Sequence, residues 1–173
     1  MKISMHTMAV DTFKGMLESL GQWLERGVAH AQARRLDMVN ARLAPDMYTL
    51  AQQVQQACYH ARDAVSRLSG NGAAASEDTE KTVAGMKQQI ARTLEHLRRV
   101  EPSAFTGAEA RDCSIKTPTG LLFEMDGVRY LQAWALPHFY FHIVTAYDIL
   151  RHDGVDLGKK DYLSQVGAFL KKG

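Results

Sequence analysis

A chain of 173 residues, 46% apolar and 23% charged, is long enough to bury a core of its own and is expected to form one domain over 1–173. Its formal charge of +2 rests on scattered lysines and arginines with only short pairs such as Arg34-Arg35 and Arg98-Arg99, so a nucleic-acid partner is not expected. Two well-separated cysteines, an N-terminus (MKISMHTMAVDTF) without an apolar leader core, and no window of ~20 apolar residues predict a cytoplasmic protein that does not enter a membrane.

From Met5 to about Ala31, apolar residues recur in steps of three and four (Met5, Met8, Ala9, Phe13, Met16, Leu17, Leu20, Leu24, Val28), which predicts an amphipathic helix. Gly15 and Gly21 lower its propensity by up to ~1 kcal/mol each or admit a close neighbour. After a connection, Pro45-Asp46 reads as the entry to a second helix, which buries Leu50, Val54, Ala57, Cys58, Ala61, Val65 and Leu68 and stops at Ser69-Gly-Asn-Gly72. Ser76, followed by Glu77, Asp78 and Glu80, reads as the N-cap of a third helix. That helix carries Val83, Met86, Ile90, Leu94 and Leu97 on a narrow stripe and ends before Pro102.

Ala104 to Gly127 breaks the helical rhythm. Cys113–Thr117 and Gly120–Met125 tolerate extended backbone, with Pro118-Thr-Gly120 as a turn between them, so a small hairpin is expected. Val128–Ala135 is open between strand and the first turns of a helix. From Pro137, well suited to a first helical turn, the fourth main helix runs to about His152 and stops at Asp153-Gly154. The fold expected is all-α: an antiparallel four-helix bundle with a small extended or hairpin insertion before the last main helix. Such bundles self-associate through an exposed helix face, and a homodimer is the expected assembly.

The chemistry concentrates in Trp134 to Gly154 (WALPHFYFHIVTAYDILRHDG), which holds three of the seven histidines. His138 and His142 are one helical turn apart on the stripe that includes Leu131, Ala146 and Ile149. A pair so spaced can grip one divalent metal if a third ligand arrives. His60, in CYHARDAV halfway along the second helix, is the natural third if helices two and four face each other. Three imidazoles and a water make an open site, the arrangement of metals that act on substrates. His6, His30, His96 and His152 lie near helix ends or on polar faces and receive no role. Asp46, Asp63, Tyr140, Tyr147 and Asp148 are candidate supporting or acid–base groups, and Cys58 reads as core. No nucleophile elbow, phosphate-cradling loop or dinucleotide motif is present.

Pro137-His-Phe-Tyr-Phe-His142, then Ala146-Tyr-Asp-Ile-Leu-Arg151 and Gly154, resembles the last helix of the DinB-like metalloenzyme superfamily, which carries HxxxH with an arginine and a glycine at these spacings. The run from Leu136 to Leu163, with Pro45-Asp-Met47, Gln53-Val-Gln55 and Ala61, is closer still to a branch of that superfamily known only as a domain of unknown function. Thr145 stands where the superfamily often has glutamine. The resemblance implies a four-helix bundle and a divalent transition metal, Zn or Ni foremost, held by His60, His138 and His142. It also implies hydrolytic or thiol-transfer chemistry on a small molecule. Two other readings stay open: a non-catalytic bundle that binds an apolar or aromatic ligand beside Trp134, Phe139 and Tyr140, and a structural dimer whose histidines are incidental.

Overall fold

The computed structural model describes residues 4–171. The two ends of the expected 1–173 domain, at 1–3 and 172–173, lie outside the described residues. Helices dominate. A π-helical turn, Thr7–Asp11, continues into α1 (Thr12–Arg34), followed by α2 (Leu50–Leu68), α3 (Val83–Arg98) and α4 (Leu136–His152). α2 packs against α3 and α4, and α1 against the same two helices. One continuous apolar core fills the space between them. Its largest fully buried side chains include Trp23, Tyr130, Phe13 and Phe139, and Phe13 meets Phe139 edge-on at 4.8 Å.

The period of apolar residues located these helices, but local polar bonds decide where they begin. α2 does not enter at Pro45-Asp46. Thr49 is its N-cap, with Oγ1 accepting from the Gln52 N–H at 3.3 Å while Gln52 Oε1 accepts from the Thr49 N–H at 2.9 Å. This reciprocal box satisfies two donors that a start at Asp46 would leave to water. α3 does not start at Ser76 either. Its cap is Thr82, which accepts from the Gly85 N–H at 3.0 Å. The acidic residues expected in its first turn serve elsewhere: the Glu77 carboxylate accepts from Gln89 Nε2 at 3.0 Å and pairs with Arg62 at 3.0 Å and Arg92 at 3.5 Å. A non-helical strap over α2 and α3 is the result.

The expected hairpin is present. β1 (Cys113–Lys116) pairs antiparallel with β2 (Leu122–Met125), in a register that sets Cys113 opposite Met125 and Ile115 opposite Phe123. The open stretch before Pro137 is helical. A single turn, Gly127–Arg129, capped by Asp126, leads into a π-helical segment, Tyr130–Ala135, and then into α4. Pro137 lacks an N–H, so the regular ladder must lose a bond there, and the wide π turns just upstream absorb that irregularity.

After α4 the chain folds back along α1. Tyr162 stacks on Trp23 with centroids 5.8 Å apart, Trp23 Nε1 donates to the Asp161 carbonyl at 3.2 Å, and Arg26 pairs with the Asp161 carboxylate at 2.7 Å. Further on, Ser164–Phe169 is a 3₁₀ segment, and Val166, Phe169 and Leu170 are exposed. No helix among the described residues is long and apolar enough to cross a membrane.

Candidate metal centre

α2 and α4 bring His60, His138 and His142 together. The His60 ring lies 4.9 Å from that of His138 and 5.4 Å from that of His142, centroid to centroid. His60 and His142 are buried, and His138 is half-buried at the mouth. The cluster opens onto a concavity of about 440 Å³ lined by Pro137, His138, Phe141 and His142.

Two of the rings are held by hydrogen bonds that fix their tautomers. His138 Nδ1 lies 2.8 Å from the Trp134 carbonyl oxygen, which can only accept, so Nδ1 carries the proton. His142 Nδ1 lies 2.7 Å from Gln53 Oε1. The Gln53 amide cannot be turned over, because its Nε2 donates to the Tyr48 carbonyl at 3.4 Å and the flipped amide would oppose two acceptors. His142 Nδ1 is therefore also a donor. Both α4 imidazoles present Nε2 as the lone-pair nitrogen, the state a metal requires. His60 makes no ring hydrogen bond among the described residues.

Protonation is suppressed as well. Burial, and then the nearness of His142 and His138, pushes His60 down to about 3. Burial, and then His138, pushes His142 down to about 4. Both imidazoles are neutral at physiological pH.

Among the described residues, no three His, Cys, Asp or Glu side chains already stand arranged to hold a metal. The His60 and His142 rings lie within 11° of parallel, with centroids 5.4 Å apart. Gln53 holds the His142 ring and the Trp134 carbonyl holds that of His138. The three imidazoles fit a divalent metal in element type, and the two on α4 fit it in tautomer as well.

The other sequence candidates scatter. Asp63 is buried in a structural network: it accepts from Arg67 Nε at 2.8 Å, the Tyr130 hydroxyl at 3.1 Å and the Ala74 N–H at 3.0 Å. Tyr147 packs on Trp23 and Tyr162, and Asp46 and Asp148 are exposed. Cys58 is core, its thiol pushed up to about 12 by burial. Thr145 turns back to its own helix, donating to the Phe141 carbonyl at 2.7 Å. Trp134 faces the site, 4.5 Å from His138, whereas Phe139 is sealed in the core with Tyr140 edge-on to it, so those three do not line one ligand site. His6 and His30 serve as structural ties, to the Val100 carbonyl at 3.0 Å and the Asp153 carbonyl at 2.9 Å.

Residue types alone did not single out Gln53 or Tyr48. Tyr48 stacks on His142 within 17°, centroids 6.3 Å apart. The signal for Gln53 was its place on the buried face of α2, seven residues, or about two turns, before His60.

A family model described as a domain of unknown function, DUF1993, matches residues 5–163. No curated protein matches the chain. Among solved structures, a DinB family member protein from Shewanella denitrificans is 37% identical, with a TM-score of 0.82 over 91% of this chain and 90% of that one. The fold is thus DinB-like, and the chain belongs to the DUF1993 family.

Proposed function

We propose that this chain is a single-domain, antiparallel four-helix bundle that holds a divalent transition metal, Zn or Ni foremost, through His60, His138 and His142 and acts on a small molecule. The observation that carries this reading is the meeting of three imidazoles at one solvent-open mouth, two of them locked with Nε2 unprotonated. The chemistry such a metal supplies when bound is Lewis acidity toward a small nucleophile, water or thiol, which suits hydrolysis or thiol transfer. The protein's own part is to keep His60 and His142 neutral by burial, to orient His138 and His142, and to leave the Pro137–His142 face open for a substrate. A homodimer remains the proposed assembly.

The packing of His60 against His138 and His142 favours one alternative, a ligand-binding bundle without catalysis whose histidines are structural. Metal content by mass spectrometry separates the two, on untagged wild type beside His142→Ala, with circular dichroism to establish that both are folded. About one metal per chain, lost in the variant, is the expected result. No metal in either protein after supplementation with zinc and nickel would overturn the metal reading and leave the ligand-binding and purely structural ones.

A further inference from the structure

We infer that a cavity of about 520 Å³, formed where the segment ahead of α2 meets the strap that carries Glu77, binds a small hydroxylated oxyanion, a phosphate or carboxylate on a polyol frame. It is lined from two separate stretches of chain, by Asn40 and Arg42 ahead of α2 and by Thr79, Glu80 and Lys81 of the strap, together with Gln52 of α2. Its charges point to the ligand. Arg42 and Lys81 make no ion pair among the described residues, whereas the carboxylate of Glu80, the acid in the lining, is taken up by Arg92 at 3.3 Å. Two cations without a counter-charge therefore share one concave surface, and a cleft lined by one sign of charge concentrates solutes of the other.

Neutral groups in the same lining suit hydroxyls. Gln52 Oε1 accepts from the Thr49 N–H at 2.9 Å, which leaves Nε2 as a donor with no acceptor among the described residues. Asn40 Nδ2 donates to Asp37 at 2.7 Å and leaves Oδ1 to accept; Thr79 Oγ1 donates to Gln55 Oε1 at 2.7 Å and can accept in turn. Donors for an oxyanion and acceptors for hydroxyl groups thus share one cavity, in the size range of small-molecule sites. Both stretches are held in place. The Leu50 and Ala51 N–H groups donate to the Ala41 and Val39 carbonyls at 2.8 and 3.3 Å, and the strap is tied by Thr79 to Gln55 and by Glu77 to Arg62. Little chain freedom is then lost when a ligand enters. The first of these ties also occupy the leading N–H groups of α2, so the charge must be met by the Arg42 and Lys81 side chains and not by the helix end. The cavity is separate from the histidine centre: Thr49 and Gln52 line it, whereas Tyr48 stacks on His142 and Gln53 is bonded to that ring.

Isothermal titration calorimetry of the full chain with mannitol phosphate, gluconate, mannitol and ethyl phosphate, in phosphate-free buffer at constant ionic strength, tests this. Wild type is compared with Arg42→Gln and Lys81→Gln, and with Lys116→Gln on the hairpin as a control for lost surface charge. All three positions are exposed, and circular dichroism melts establish that each variant is folded. Mannitol phosphate is expected to bind wild type and Lys116→Gln alike, and about fivefold more weakly to Arg42→Gln and to Lys81→Gln. Mannitol, which lacks the charge, and ethyl phosphate, which lacks the hydroxyls, are expected to bind more weakly than mannitol phosphate. Whichever of mannitol phosphate and gluconate binds more tightly assigns the site to phosphate or to carboxylate. Indifference to either cavity substitution, an equal loss in Lys116→Gln, mannitol or ethyl phosphate bound as tightly as mannitol phosphate, or no binding of either oxyanion at about 10 mM overturns the inference.

Discussion

Gln53 is joined to His142 by one bond, from a residue 89 positions away in sequence, and that bond decides which imidazole nitrogen faces the mouth. Replacing Gln53 with leucine should leave His142 Nδ1 buried without an acceptor, at a cost of about 1–3 kcal/mol in stability. It should also weaken zinc binding by about tenfold or more, because the tautomer is no longer imposed. Gln53→Glu should keep the orientation and restore the affinity. Nitrogen chemical shifts of His142 report the tautomer directly, and competition with a chromophoric chelator reports the affinity. An unchanged tautomer and affinity in the leucine variant would remove Gln53 from the site. At this scale the sequence was partly readable. His138 and His142 announce themselves by helical spacing, and His60 by its place on a facing helix. Gln53 and the Trp134 carbonyl act through contacts that no local period encodes, and one of them is not a side chain at all.

The elements show where helical rhythm is enough and where it is not. Gly127 opens the helical run that delivers both α4 histidines, and a Cβ there would lie 1.8 Å from the Ala108 carbonyl oxygen. That contact is with backbone, so the turn and the 3₁₀ segment holding Ala108 would have to separate. Gly127→Ala should therefore cost more than about 2 kcal/mol and loosen the approach to the site. Gly21 is the contrasting case, since a Cβ there meets only Ile90 Cγ2 at 4.0 Å inside α1. Gly21→Ala should stabilise by about 0.5–1 kcal/mol, because the glycine confers no close packing and only penalises the helix. Urea titrations of the two variants should shift in opposite directions; a stable Gly127→Ala would mean that the close approach is not required. Periodicity located the four long helices because their buried faces are regular. It missed the starts of α2 and α3, where Thr49–Gln52 form a reciprocal box and Glu77 pairs with Arg62 and Arg92 instead of capping a helix.

Across the whole molecule, the histidine cluster couples stability to pH. His60 and His142 titrate at about 3 and 4 in the folded protein, against about 6.5 in an unfolded chain. Between those limits the unfolded state binds protons that the folded state refuses, so stability must fall as the pH falls. The sign is the same for His96, which burial and then Arg62 also lower. Glu77 adds to it in the acid range: burial raises it, but the Gln89 hydrogen bond, Arg62 and Arg92 outweigh that and hold it below its ordinary value. His60 and His142 each contribute a slope of about 1.4 kcal/mol per pH unit over that range, and the contribution saturates above the unfolded value. Urea unfolding of the metal-free protein should then give a plateau between about pH 7 and 8 and a loss of roughly 3 kcal/mol by pH 5. In His60→Gln the loss should shrink by about half, since one of the two strongest proton-refusing groups is gone. Equal stability at pH 7 and pH 5 would show that the imidazoles accept protons in place, and hence that the cluster is open enough to water for burial not to set its charge.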